Sequence, residues 1–230
     1  MKTIGLIGGM SWESSSEYYR IINEEIKKRL GGLHSAKSVM VSVDFAEIET
    51  LQREGRWDEA GRVITRAAQD LERGGADLLV LCTNTMHKVA DQMQAGLRIP
   101  MLHIADATAE RIRAAGLTKV GLLGTRFTME QDFYRGRLAS KHGLEVLTPD
   151  EAGRELVHCV IYDELCLGLI RDESREAYKR IMAELVGRGA QGIILGCTEI
   201  ELLVHDGDAS VPLFPTTRIH AEAAVEYALK

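Results

Sequence analysis

The side chains best suited to proton-transfer or covalent chemistry are the four cysteines, Cys82, Cys159, Cys166 and Cys197. No two of them form a Cys-x-x-Cys pair, so neither a zinc site nor a dithiol redox motif is indicated. Cys197 stands apart by its setting. It follows the apolar run Ile193-Ile194-Leu195 and Gly196, and Thr198-Glu199 then reads as the opening of a helix. A thiol at a strand end before a helix N-terminus is expected to have a lowered pKa, because the partial positive charge there favours thiolate. Cys197 is therefore the candidate base. Cys159 and Cys166 fall within a stretch read as helical, Glu155 to Leu167, and are expected in core or surface roles.

A second cluster is Thr83-Asn84-Thr85-Met86-His87, which places hydroxyls, an amide and an imidazole after the apolar run Asp77 to Leu81. Hydroxyls and backbone amides at the start of a helical turn suit a carboxylate. His87 could relay a proton, orient a partner, or be a satisfied structural histidine. Gln52-Arg53 is read as lying on a connection before the next helix, where Arg53 is a clamp for a carboxylate or a solvated surface arginine. Arg126 and Asp163-Glu164 have similar standing. Gly5 to Ser11 lacks the G-x-G-x-x-G spacing of a dinucleotide loop and the G-x-x-x-x-G-K of a triphosphate loop. It reads as a tight glycine turn, or as an anion cradle with Ser11 at a helix start.

Positioning these residues requires alternating elements. Short apolar runs at Thr3–Ile7, Ser38–Phe45, Asp77–Leu81 and Pro100–Ile104 are separated by amphipathic helical patterns such as residues 13–29 and 58–73. That alternation predicts an α/β fold with parallel sheets and right-handed crossovers. The pattern then restarts. Lys119 to Thr125 echoes Lys2 to Gly8, Gly189 to Glu199 echoes Gly75 to Thr85, and Val211 to Phe214 echoes Ile99 to Leu102, at offsets of 117, 114 and 112. Three ordered matches at nearly constant offset indicate a duplicated unit with repeat halves 1–116 and 117–230.

The expected architecture is two similar Rossmann-like α/β lobes related by a pseudo-twofold. The expected lobes are residues 1–103 plus 215–230, and residues 104–214. Ligands of open parallel sheets bind beyond the carboxyl ends of the strands, so the site is expected in the cleft between the lobes. The repeat sets Thr83 opposite Cys197, and Cys82 opposite Gly196. Alternation along a strand sends Cys82 and Thr83 to opposite sides, which favours Thr83 for the site and Cys82 for the core. A slipped register that makes Cys82 the active group remains the competing reading.

Composition narrows the partners. The 230 residues are 45% hydrophobic and 27% charged, as expected of a folded globular chain. A net charge of -6 argues against nucleic acid as the main partner. No apolar run reaches the roughly 18 residues of a membrane span. The first residues enter a strand without a signal-peptide pattern, so a cytoplasmic setting with free thiols is expected.

Taken together, Gly5 to Trp12, Thr83 to His87 and Gly196-Cys197-Thr198-Glu199 resemble the cofactor-independent aspartate/glutamate racemases, over nearly the whole chain. The resemblance implies racemisation by two bases on opposite faces of the α-carbon, without pyridoxal phosphate or metal. In that family both bases are normally cysteines, and here Thr83 stands at the first position. The pattern is most similar to the L-aspartate/glutamate-specific subgroup. It implies Thr83 and Cys197 as the catalytic pair, and Met10, Gln52, Asn84, Thr85 and Thr198 as substrate-binding positions. The implied partner is a small amino acid, in a homodimer by analogy. A catalytically weak amino-acid or dicarboxylate binding protein, or a related isomerase or decarboxylase, are the competing functions.

Overall fold

The computed structural model describes residues 1–230, which divide into two compact units. The first comprises Met1–Ile104 and His220–Lys230, the second Ala105–Ile219.

In the first unit, β1 (Ile4–Gly8), β2 (Ser38–Ser42), β3 (Leu78–Leu81) and β4 (Met101–Leu102) form a parallel sheet in the order β2-β1-β3-β4. All residues of β1 and β3 are buried, as central parallel strands covered on both faces must be. The helices of this unit are α1 (Trp12–Leu30), α2 (Phe45–Arg53), α3 (Trp57–Arg73) and the short α4 (Ala90–Ala95). On one side Tyr18, Ile21, Ile22 and Ile26 of α1 pack with Ile4, Leu6 and Leu78. Burial of each such aliphatic side chain contributes roughly 1.5–3 kcal/mol. On the other side, Ile64, Ala68 and Leu71 of α3 join Ile7, Leu79 and Met10.

The second unit repeats the plan. Its strands are β5 (Lys119–Gly124), β6 (Glu145–Leu147), β7 (Ile193–Gly196) and β8 (Leu213–Pro215), in the parallel order β6-β5-β7-β8. Its helices are α5 (Ile104–Ala114), α6 (Arg126–Glu130), α7 (Arg135–His142), α8 (Glu151–Asp163), α9 (Asp172–Gly187) and α10 (Ile200–Leu203), with the first turn of α11 (Thr216–Leu229), whose remainder from His220 belongs to the first unit. The chain enters this unit at the first turn of α5 and leaves it after the first turn of α11.

Local chemistry sets the boundaries. Ser11 caps α1 by accepting a hydrogen bond from the Ser14 N–H at 3.2 Å. Gly9 ahead of it has φ +92, and a side chain there would strike the Val43 backbone, so the turn requires glycine. Gly196 is tight for another reason: an added Cβ would lie 2.7 Å from the Leu123 carbonyl oxygen.

Three boundary expectations are corrected. Gln52 and Arg53 end helix α2 rather than lying on a connection, because Asp44 caps a helix at Phe45 by accepting from the Ala46 N–H. The run Pro100–Ile104 yields only a two-residue strand, since Ile104 already begins α5. The stretch Glu155 to Leu167 is not one helix. α8 stops at Asp163 and a 3-10 turn covers Leu165–Leu167, so Cys159 and Cys166 occupy different elements.

Candidate active site

In each unit the chemistry-bearing residues follow the carboxyl ends of the two central strands. In the first unit these are the Gly9–Ser11 turn after β1, with the first turn of α1, and the 82–87 segment after β3. The Ser14 hydroxyl ties the two together by donating to the Cys82 carbonyl at 3.2 Å. Cys82 is fully buried among Tyr18, Val80 and Ala221. Burial pushes its thiol well above the ordinary thiol range. Thr83, one residue on, keeps partial exposure, while Asn84 and Thr85 are buried at the start of the 3-10 turn Thr85–Val89.

His87 fixes this segment. Its Nε2 accepts from the Ile104 N–H at 3.2 Å, so Nδ1 carries the proton and donates to the Thr83 carbonyl at 2.7 Å. The neutral ring thereby spans from the Thr83 backbone to the first residue of α5. His220 is set similarly: Nε2 faces the Leu102 carbonyl at 2.9 Å and must donate, so Nδ1 accepts from the Tyr18 hydroxyl. Burial lowers its pKa to about 4, which keeps it neutral. The His87 ring lies 4.6 Å from that of His103 and 5.8 Å from that of His220.

Gln52 is buried at the end of α2, and its Nε2 lies 3.0 Å from the Met86 sulfur. Met10 is buried in the same apolar cluster as Met86, and its peptide bond to Ser11 is cis. The loop after β1, the end of α2 and the 82–87 segment thus converge. Arg53 does not join them. It is an exposed residue of α2 paired with Glu49 at 3.3 Å. Arg126 pairs with Glu155 on the surface, and Glu164 accepts from Ser174 at 2.6 Å.

In the second unit, Cys197 directly follows β7, whose last residue, Gly196, is in register with Gly124 of β5. The Cys197 thiol lies 3.0 Å from Glu199 Oε2 and donates to it. Thr198 is buried and accepts from the Thr217 hydroxyl at 2.9 Å, and Thr125 caps α6 after β5. The expected lowering of the Cys197 pKa is corrected. Burial, and then the negative charge of Glu199, push the thiol well above its ordinary value. Helix α10 has only four residues and begins three positions beyond the cysteine, so it supplies little compensating dipole. Glu199 as proton partner was not anticipated, although a carboxylate two residues after a candidate base was open to view.

The sequence pattern of the Asp/Glu/hydantoin racemases matches residues 7–224. The chain belongs to that family. Among curated proteins, the broad specificity amino-acid racemase RacX of Bacillus subtilis is 23% identical, with 96% of each chain covered. Among solved structures, a Yersinia pestis chain proposed as an Asp/Glu racemase is 60% identical, with TM-score 0.94 and 100% of both chains covered. An aspartate racemase homologue from Pyrococcus horikoshii is 36% identical with TM-score 0.85, again over 100% of both chains. The family places this protein among the amino-acid racemases, which are isomerases, and accounts for the repeated four-stranded parallel units.

Proposed function

We propose that this racemase interconverts the enantiomers of an acidic amino acid, with L-aspartate or L-glutamate as preferred substrate, by a two-base mechanism that draws on no cofactor. Cys197 takes the α-proton of the L-enantiomer, and Thr83 returns a proton to the opposite face. The observation that carries this reading is the Cys197–Glu199 pair. A thiol held in protonated form needs an acceptor before it can act as a base, and the Glu199 carboxylate stands 3.0 Å away. Proton transfer from sulfur to Glu199 gives the thiolate, which then binds the α-proton. The resulting carbanion takes the Thr83 hydroxyl proton; the threonine recovers one from solvent and Glu199 releases one to it, which restores the starting protonation.

A threonine hydroxyl is a far weaker acid than a thiol, whose ordinary pKa is near 8.5, so Thr83 suits donation better than abstraction. The asymmetry predicts faster turnover from L than from D. Asn84, Thr85 and Thr198, with Gln52 and Met10, are assigned to binding the amino acid, their hydroxyls and amides holding the α-carboxylate as enolate-like charge develops. The homodimer and the preference for acidic side chains rest on likeness to relatives.

Deuterium wash-in at the α-carbon tests the reading. A panel of L- and D-amino acids in D2O is expected to show exchange strongest for L-Asp or L-Glu, abolished by Cys197→Ser. An absence of exchange with bound amino acid would instead mark a binding protein, and carbon dioxide release a decarboxylase.

A further inference from the structure

The two units fasten their candidate catalytic turns by the same link. Four residues beyond Thr83, His87 accepts from the N–H of Ile104, the first residue of α5. Four residues beyond Cys197 stands Glu201, which the repeat offset of 114 sets in the place of His87. Its Oε1 accepts from the N–H of Thr217, the second residue of α11, at 3.3 Å. In each unit, then, the side chain four positions past the candidate catalytic residue takes up an N–H at the start of the helix after the last strand. Such N–H groups have no partner inside their own helix, so an acceptor brought from elsewhere is held there. In the second unit that acceptor is a carboxylate at the positive end of a 14-residue helix, a stronger form of the link.

The links differ in how they return to the turn. In the first unit His87 closes the path itself, by donating to the Thr83 carbonyl. In the second unit the path closes through a hydroxyl: the Thr217 side chain donates to the Thr198 hydroxyl at 2.9 Å. Its neighbour Thr216 donates to the Leu195 carbonyl at 2.8 Å, and both threonines are fully buried. Helix α11 is thus fastened at one residue to β7, which Cys197 follows, and at the next to the turn that holds Thr198. A threonine hydroxyl has two lone pairs and one proton. Accepting from Thr217 polarises the Thr198 O–H and makes its proton the better donor. That is the polarity a carboxylate needs.

We infer that Glu201 and Thr217 are positioning residues for the reaction: Glu201 steers the first turn of α11, and Thr217 sets the Thr198 hydroxyl as a donor to the substrate α-carboxylate. That role rests on the proposed binding of the α-carboxylate by Thr198.

Steady-state racemisation of L-aspartate tests both. Thr198→Val is expected to lower kcat/KM by about tenfold or more, the size of a hydrogen bond to a charged group. Thr217→Val keeps the side-chain shape and loses the hydroxyl. It is expected to do nearly the same, and Thr217→Ser to recover most of the loss. Because the two threonines act as one unit, the Thr198→Val/Thr217→Val double variant is expected to be no worse than Thr198→Val alone. A residue that only capped α11 would lower the melting temperature and leave kcat/KM in place. Wild-type kcat/KM in Thr217→Val, or losses that add in the double variant, would overturn the inference and leave Thr198 as a binding residue. Wild-type kcat/KM in Thr198→Val would instead overturn the binding assignment, and the role of Thr217 with it. Glu201 gives a second reading should Thr217→Val fail to fold. Glu201→Gln keeps an acceptor for the Thr217 N–H and is expected to retain most of kcat/KM, whereas Glu201→Ala is expected to show the loss. Equal kcat/KM in these two variants would overturn the inference.

Discussion

A base that starts protonated has a definite kinetic signature. Burial and the Glu199 carboxylate both hold the Cys197 thiol up, so thiolate forms directly in the free protein only at pH well above the ordinary thiol range. Because the thiol proton passes to Glu199 without leaving the site, kcat/KM for the L-enantiomer should stay level through neutrality and rise further only on the alkaline side, where thiolate forms directly. Glu199→Gln separates the two effects of this carboxylate. Removing its charge moves the alkaline limb to lower pH, while removing the proton acceptor lowers kcat by about 10²–10⁴-fold, the usual size of a general acid–base contribution. A variant with the wild-type limb and wild-type kcat would remove Glu199 from the mechanism. Sequence made Cys197 conspicuous but gave the wrong sign for its pKa. A helix start was legible after Gly196, whereas its four-residue length and the thiol's burial depend on packing that no local pattern encodes.

At the scale of elements, His87 is the link worth breaking. It holds the Thr83 carbonyl on one nitrogen and the Ile104 N–H on the other. His87→Phe leaves both backbone groups without that partner, at about 1–3 kcal/mol each if they stay dry. Loosening the Thr83 backbone by an ångström is expected to cost kcat up to about 10²-fold. Asn can still donate to the Thr83 carbonyl from near the Nδ1 position, so His87→Asn should recover much of kcat at a similar KM. Equal kcat in wild type and His87→Phe, measured by chiral chromatography of the product, would make His87 structural only. The central strands and α1 were legible because their apolar periods are uninterrupted. The end of the second apolar run was not: Val41, Val43 and Phe45 look like one alternating strand, until Asp44 caps the backbone and starts α2. The orienting option for His87 was open in the sequence, but its tautomer required the positions of Thr83 and Ile104.

For the molecule as a whole, His220 couples the fold to acidity. Its pKa is about 4 when folded against 6.5 in the open chain, so the unfolded chain binds the extra proton first as pH falls. The stabilisation is complete above 6.5 and drains away toward pH 4, by an amount on the order of 3 kcal/mol. Tyr18 and His87 face the same ring. The difference in denaturation midpoint between wild type and His220→Gln should therefore shrink as pH drops through this window, and a constant difference would contradict the assignment. The duplicated plan itself was visible in sequence, because the same glycine-strand signals recur at nearly equal spacing and the structure repeats the strand order in both units. The central claim is that two different groups, Cys197 and Thr83, serve opposite faces of one α-carbon. Early-time racemisation of L-aspartate in D2O tests it most directly. Two bases predict product D-aspartate carrying α-deuterium while the remaining L-aspartate stays unlabelled; deuterium appearing equally in both enantiomers from the start would contradict it.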